Sequence, residues 1–374
     1  MTLTVFYGCY RIVPMLYEPK IMVVNVRGLN DRARRSGVRS VVSTTGASIV
    51  CLQETKLSVV TLAIVMETLG ANFDAYFCLP AVGTRGGVIV AWVSRLVQLD
   101  STHYGDHSVT ARVSPVGGGP WWWLTCVYGP QAEADKIAFL AELRDIRGIH
   151  QGPWALCGDF NMIYRDEDKN NGNLNRRMMG RFRRFLNDCE LKEIYLHGRR
   201  YTWSNERDTP TLVRLDRVFT TVTWEEMFGS CILRCLATVV ADHCPLMLDY
   251  TTKPAGPKRF QFERFWLRLD GFSEVVQNSW GVGDGDPDPF RRLTAKLKRT
   301  ERSLMSWSDK KVGCVKLQLM IAREVVLRLD IAMESRQLSQ DERQLRAHLK
   351  HAYLGQASLE RTMARQRAKI AWLR

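Results

Sequence analysis

Between residue 21 and about residue 250, short runs of β-branched and other apolar residues alternate with amphipathic stretches, which restricts this part of the chain to an α/β architecture. The spacing predicts strands at 21–25, 48–52, 87–92, 108–113, 121–128, 154–158, 212–220 and 244–250. Helices are expected over 31–46, 57–70, 133–149 and 177–191, the last with Phe182, Phe185, Leu186 and Cys189 at three- and four-residue spacing. The runs at 87–92 and 108–113 follow each other with no helix between them. A simple doubly wound parallel sheet does not allow that, so the expected fold is two packed mixed β-sheets flanked by helices, a four-layer α/β sandwich.

The pattern changes after residue 252. Two prolines and a glycine between charges, Lys253-Pro-Ala-Gly-Pro-Lys258, continue neither period and read as a linker over 253–259. An aromatic cluster (Phe260, Phe262, Phe265, Trp266) and a Gly/Asp/Pro turn over 281–289 follow, and then helical pattern from about Phe290 to Leu373. Leu317, Met320, Ile321, Val325 and Leu329 form the expected apolar stripe of this all-helical basic extension, 260–374. On this reading, residues 21–252 fold without the extension, and residues 1–20 are an N-terminal segment without an assigned role.

Charge separates the same two regions. The chain of 374 residues carries a formal charge of +14. From Lys258 onward there are 24 basic against 14 acidic residues, whereas the 257 residues before them hold 29 against 25. An excess of this kind suits a polyanionic partner such as nucleic acid, although a basic helix face also serves as an ordinary solvated surface. With 45% hydrophobic and 25% charged residues the composition is that of a globular protein and excludes a disordered or fibrous one. No stretch reaches the roughly 18 uninterrupted apolar residues of a membrane helix. Arg11, Pro14, Glu18 and Lys20 make the first 20 residues a poor signal peptide, and no membrane partner is expected. The ten cysteines lie scattered, mostly in apolar runs, as buried free thiols in a reducing compartment do, and Cys231 with Cys235 lacks the second pair that a zinc site needs.

Polar residues stand where several strands should end: Asn25, Glu54, Asp159 with Asn161, and Asp242 with His243. Strand ends are where α/β enzymes place reactive side chains. Each alone also suits a structural role, as a turn cap, a helix start or an Asx turn. Together they form a set of carboxylates, amides and one histidine. Mg2+ takes oxygen ligands from one or two carboxylates, for which Glu54 is the natural candidate. Phosphodiester hydrolysis further needs a base for water, donors to the developing negative charge and help for the leaving oxygen. Asp159, Asn161 and His243 match those needs in type.

These residues lie in eight ordered motifs: Asn25-Val-Arg-Gly-Leu-Asn30, Leu52-Gln-Glu-Thr-Lys56, Gly86-Gly87-Val, Val127-Tyr-Gly-Pro130, Gly158-Asp-Phe-Asn161, Tyr201-Thr-Trp-Ser-Asn205, Arg214-Leu-Asp-Arg217 and Asp242-His243-Cys-Pro245. In that order over about 230 residues they resemble the exonuclease-endonuclease-phosphatase superfamily. Within it they resemble most the apurinic-type endonuclease domain that opens the second open reading frame of plant LINE-type (non-LTR) retrotransposons. The resemblance implies a divalent-metal-dependent DNA endonuclease, using Mg2+ or Mn2+, that nicks one strand of a duplex and leaves a 3′-hydroxyl. It implies metal binding by Glu54, Asn25 and Asp242, with Asp159 acting on the attacking water and Asn161 donating to the phosphate. Tyr128 would bind the phosphate or stabilise the leaving group, and His243, oriented by Asp216, would donate to the phosphoryl oxygen. Thr202 matches a DNA-backbone contact, and Arg27 and Asn205 belong to the expected substrate-binding set.

Two positions depart from the family pattern. Ala241 stands where many relatives have Ser before the Asp-His pair, for which weakened activity at most is expected, and the first 20 residues precede the usual family start. The segment 260–374 resembles the connector ahead of a reverse transcriptase; no adjacent pair of aspartates, the polymerase signature, occurs in the sequence. A DNA substrate implies a nuclear location, and the basic extension also suits RNA. The competing readings are a phosphoesterase of the same fold acting on a small or lipid phosphate ester, and a catalytically inactive retroelement remnant that binds nucleic acid.

Overall fold

The apolar run at Ile21 forms the first strand, β1 (Ile21–Asn25), in a computed structural model that describes residues 19–83, 86–228, 231–250, 267, 270–281, 288–311 and 313–371. The expected linker, the cluster Phe260 to Trp266 and residues 1–18 lie outside the described residues. After β1 come α1 (Arg32–Val42), β2 (Ile49–Gln53), α2 (Leu62–Leu69), β3 (Ala75–Leu79) and β4 (Val88–Trp92). Asp31 starts α1 by accepting from the Ala33 amide at 2.8 Å, the capping bond a helix N-terminus requires. Next are β5 (Val97–Tyr104), β6 (Ser108–Pro115), β7 (Trp122–Tyr128), α3 (Glu133–Ile149), β8 (Trp154–Asp159) and α4 (Arg176–Asp188). The body continues through β9 (Leu191–Glu193), β10 (Leu196–His197), β11 (Trp203–Ser204), β12 (Leu212–Val213), β13 (Asp216–Thr221), α5 (Val222–Phe228), β14 (Cys231–Cys235) and β15 (Leu246–Tyr250).

Two large mixed sheets result. The first runs β10-β14-β15-β1-β2-β4-β3, the second β5-β6-β7-β8-β13-β9, and β11 pairs with β12 as a separate ribbon. Side chains alternate across a strand, so one run can feed two cores. Ile21, Val23, Ile49, Cys51, Val88 and Val90 face the second sheet and meet Val109, Leu124, Cys126 and Cys157. Met22, Val24, Val50, Leu52 and Ile89 point the other way, against helices α1 and α2. The outer face of the second sheet is covered by α3 and α4 through Phe139, Leu143, Phe182 and Phe185. The fold is therefore the expected helix-sheet-sheet-helix sandwich.

Several expectations need correction. The run at 212–220 is two strands, because the amides of Leu215 and Asp216 both donate to the Thr202 hydroxyl at 3.0 Å and take the chain from the ribbon into the second sheet. The edge strands β3, β5, β9 and β10, the two-residue β11 and the partly exposed β14 escape the sequence pattern; β3 is only half-buried along its length. The cysteines are not all free: Cys235 at the end of β14 and Cys244 at the entry to β15 form a disulfide with a Cα–Cα separation of 6.0 Å, because the antiparallel pairing of those strands brings them together.

The extension comprises α6 (Phe272–Trp280), α7 (Pro289–Lys311), α8 (Gly313–Ser335) and α9 (Gln340–Ala371). Its apolar stripe is displaced from the expected one. Leu319, Ala322 and Val326 of α8 are buried, whereas Met320 and Ile321 are exposed. The buried side chains join Tyr353 and Ala357 of α9, Val38 and Val41 of α1, and Val239 and Val240 in one core. Helices α8 and α9 thus complete the layer that covers the first sheet. Asp330 occupies the next turn of the same stripe, fully buried, which hides the stripe from a hydrophobic pattern.

Gly158 lies in β8 with φ +138°, and a Cβ there would sit 2.1 Å from the Val127 carbonyl oxygen of β7. Replacing it strains the backbone and forces apart two strands that carry site residues. Gly158→Ala is expected to cost about 3 kcal/mol or more in urea unfolding; a loss below about 1 kcal/mol would contradict this close approach.

Candidate active site

Strand register assembles the site. In the second sheet, β7 runs parallel to β8 with Tyr128 beside Asp159, and β13 runs antiparallel with Asp216 on the other side of Asp159. In the first sheet Asn25 ends β1, and Glu54 follows its neighbour β2. The chain turns sharply as it leaves these strands: Arg27, Glu54, Lys56 and Asn161 all have φ near +50°, a conformation that costs a side-chain-bearing residue on the order of 1–3 kcal/mol. Strain of this kind, gathered at one end of the sandwich, is characteristic of a functional rim.

Asp159 is 1% exposed. Its Oδ1 accepts from the Asn161 amide at 2.9 Å, and its Oδ2 accepts from Asn25 Nδ2 at 2.9 Å, a bond that ties the two sheets together. His243 Nε2 stands 3.9 Å from the same Oδ2, and His243 Nδ1 is 2.8 Å from Asp216 Oδ2. Burial pushes the Asp159 carboxyl up to about 6, with Asp216 adding to the rise and the His243 cation opposing it. For His243, burial alone would favour the neutral ring; the carboxylates of Asp216 and Asp159 outweigh it and raise the imidazole to about 9. At neutral pH the pair is a carboxylate beside an imidazolium.

Tyr128 flanks Asp159 on the neighbouring strand, with Glu54 close to its phenol. The Tyr128 phenol is held well above its ordinary value, first by burial and then by Glu54 and Asp159, so it stays protonated. Glu54 is paired with Lys56 Nζ at 2.9 Å. A cleft of about 670 Å³ opens here, lined by Glu54, Lys56, Gly86, His107 and Tyr128. Gly86 has to be glycine, since a Cβ would lie 2.7 Å from the Tyr128 ring and 3.0 Å from Glu54 Cγ.

Asp242 Oδ2 accepts from Arg27 Nη1 at 2.9 Å and from Trp203 Nε1 at 3.1 Å. Two buried carboxylate oxygens, Asp242 Oδ1 and Asp216 Oδ1, have no hydrogen-bond partner among the described residues. These orphaned oxygens, the Glu54 carboxylate and the Asn25 amide oxygen are the hard oxygen donors at this end of the sandwich, the ligand type that Mg2+ takes. Asp159, Asp216 and His243 also converge, with ligand atoms within 4.8 Å of one another. Within that cluster Asp159 accepts from Asn25 and His243 pairs with Asp216 Oδ2, while Asp216 Oδ1 stays unpaired among the described residues.

The structure therefore brings together Asn25, Asp159, Asn161, Asp216 and His243, with Glu54 and Tyr128 on one side and Asp242 and Arg27 on the other. Asn161 Nδ2 donates to the Gly129 carbonyl at 2.7 Å, which orients that amide. Thr202 does not fit the expected DNA contact: it is fully buried and its hydroxyl accepts the Leu215 and Asp216 amides, so it supports Asp216 from behind. Asn205 shapes its own loop, accepting from the Thr211 amide at 3.0 Å. Sequence reasoning assigned no role to Trp203, which positions Asp242, or to Lys136. The Lys136 ammonium is half-buried near Asp159, and burial lowers its pKa. Lys136 lies in the first turns of α3, where no motif marks it; Trp203 lies within Tyr201-Thr-Trp-Ser-Asn205, and its indole N–H was the available signal.

A two-sheet sandwich with buried carboxylates, a charged histidine and an oxygen donor set at one end defines a phosphoesterase-type site. Residues 22–238 match the Endonuclease/Exonuclease/phosphatase family, and the chain belongs to that family. Its members are hydrolytic nucleases and phosphatases, typically dependent on divalent metals. No curated protein matches the sequence. Solved structures of similar fold include the endonuclease domain of TRAS1, a telomere-specific non-LTR retrotransposon, with 13% identity, covering 63% of this chain and 100% of that chain at a TM-score of 0.48. The AP endonuclease LMAP from Leishmania major shares 18% identity over 62% of this chain and 86% of that chain, with a TM-score of 0.46. A mannosyl-6-phosphatase from Bacteroides thetaiotaomicron shares 14% identity over 63% of this chain and 100% of that chain, with a TM-score of 0.44.

A group whose folded pKa is raised stabilises the fold fully below its unfolded value, near 6.5, and loses that contribution as pH climbs through the folded value, here about 9. The His243 ring is expected to titrate by NMR near 9, and Asp216→Asn to lower that midpoint. A midpoint at or below about 6.5 in the unmodified protein would contradict the charged pair.

Proposed function

We propose that this protein is a divalent-metal-dependent DNA endonuclease that nicks one strand of a duplex and leaves a 3′-hydroxyl, in the manner of the endonuclease domain of plant LINE-type retrotransposons. The observation that carries the reading is the row of half-buried Tyr128 and buried Asp159 and Asp216 with His243, joined across the sheets by Asn25. Asp159, raised to about 6 and still mostly ionised at pH 7, takes the proton of the attacking water as the new P–O bond forms. The Asn25 and Asn161 hydrogen bonds fix its two oxygens, so the water is held in one direction. The imidazolium of His243 donates from Nε2 to a phosphoryl oxygen as negative charge builds there, with Nδ1–H held by Asp216.

The bond from phosphorus to the 3′-oxygen then breaks, and the neutral phenol of Tyr128 faces the departing oxygen as the available proton source. Glu54, Asp242 and the Asn25 amide oxygen would hold Mg2+ or Mn2+, which when bound neutralises charge on the phosphate and the leaving oxygen. Arg27 and Lys56, both solvent-facing at the rim, suit the flanking phosphates, in keeping with the +14 charge of the chain. A nuclear setting goes with this substrate, and the exposed basic surface of the extension is suited to a second nucleic-acid strand, RNA included.

Supercoiled plasmid is expected to become open-circular in Mg2+ and not in EDTA, and Asp159→Ala to slow nicking by about 100-fold or more. Hydrolysis confined to small phosphodiesters would replace the DNA reading with the small-substrate one, and no hydrolysis at all would leave a binding remnant. Affinity for duplex DNA should also fall with salt, at a log-log slope of about −0.9 per phosphate neutralised; an affinity independent of salt would refute nucleic acid as the partner.

A further inference from the structure

Asp330 of α8 is completely buried, yet it lies in a helix of the extension and far in sequence from the site. Arg346 Nε meets it at 2.7 Å and Arg199 Nη1 at 3.2 Å, and Thr238 donates its hydroxyl to it. One turn later Glu334 accepts from Arg199 Nε at 3.2 Å and from the amides of Arg200 and Tyr201 at 2.9 and 3.2 Å. From α9, Lys350 Nζ donates to the Ala241 carbonyl at 3.0 Å and pairs with Glu206, which Arg346 also reaches at 3.2 Å. Apart from Arg346 to Asp330, which joins the two helices, these contacts fall on two short segments, 199–206 and 238–241.

Those segments lead directly into the site. Asp242 and His243 follow Ala241, and Trp203, which binds Asp242, lies between Tyr201 and Glu206. The segments also hold each other: the Cys244 amide donates to Thr202 O at 2.8 Å and the Ser204 amide to Asp242 O at 3.3 Å. A buried carboxylate with two guanidinium groups is no better for stability than well-packed apolar residues, because desolvation offsets the attraction. What directional ion pairs and amide contacts add is a single register. The apolar contacts of Leu319, Ala322 and Tyr353 are non-directional and specify a register less sharply.

We propose that the α8–α9 hairpin is a working part of the site, with Asp330, Glu334 and Lys350 as positioning residues that set where Asp242 and His243 stand. The inference rests on the phosphodiesterase reading of the site for its functional consequence, while the structural coupling is independent of it. It also gives the carbonyl of Ala241, the position that departs from the family pattern, a defined anchor in Lys350.

The test uses the full chain with Lys350→Met, which keeps the stem and removes the donor, Lys350→Arg as the conservative variant, and Glu334→Gln. Lys350→Met is expected to lower kcat for plasmid nicking by between about 10-fold and 100-fold with KM within about twofold, and Lys350→Arg to restore most of it. Amide hydrogen exchange over 199–206 and 238–243 should accelerate about 10-fold in Lys350→Met and Glu334→Gln while β1 and β2 stay unchanged. A folded Lys350→Met with unaltered kcat, or one that only melts at lower temperature with normal exchange in both segments, would overturn the proposal. If the unmodified protein nicks no DNA, the functional reading fails and exchange alone decides the coupling: faster exchange in the two segments supports it, and unchanged exchange overturns it.

Discussion

Burial of both faces of the central strands is the constraint from which the other features follow. In β1, β2 and β4 every residue is buried, with alternate side chains committed to the inter-sheet core and to the helical layer. A strand in that position has no room for polar side chains within its length, and its backbone groups are consumed by neighbours. Chemistry can emerge only where strands end. Asn25, Tyr128, Asp159 and Asp216 stand at those ends, and the sharp left-handed turns at Arg27, Glu54 and Asn161 bring the chain around them. The Asn25 to Asp159 hydrogen bond gives the two sheets a fixed relation at the site.

Burial also sets the electrostatics. The same desolvation raises the Asp159 carboxyl toward neutrality and works against the His243 cation, yet three carboxylates around one ring keep that ring charged. A base that ionises near neutral pH and a cationic donor are thereby held about 4 Å apart without cancelling each other, because Asp216 takes one ring nitrogen and Asn25 one carboxylate oxygen. Tyr128 is kept protonated by the same two influences.

The helical extension obeys the same rule of burial with a different device. Leu319, Ala322 and Val326 continue the apolar cover of the first sheet, and Asp330 replaces the next apolar residue in the stripe. Its charge is matched by Arg199 from the body and Arg346 from the neighbouring helix, so three distant stretches of chain meet around one carboxylate. Helices that look in sequence like a connector beyond a linker are joined to the layer on which the Asp242 and His243 segment rests.

From sequence alone, the alternation of apolar runs determined the two-sheet sandwich, and the ordered motifs marked nearly all the residues that meet at the site, because side-chain period and motif order are local properties of the chain. The split of 212–220 into two strands, the Cys235–Cys244 bridge and the burial of Thr202 were decided by tertiary structure, since each depends on which distant segment supplies the neighbouring backbone or sulfur. The stripe of α8 was misplaced for the same reason. A pattern of hydrophobic residues cannot register a carboxylate as part of a buried face, and only the arrival of Arg199 and Arg346 makes Asp330 a core residue.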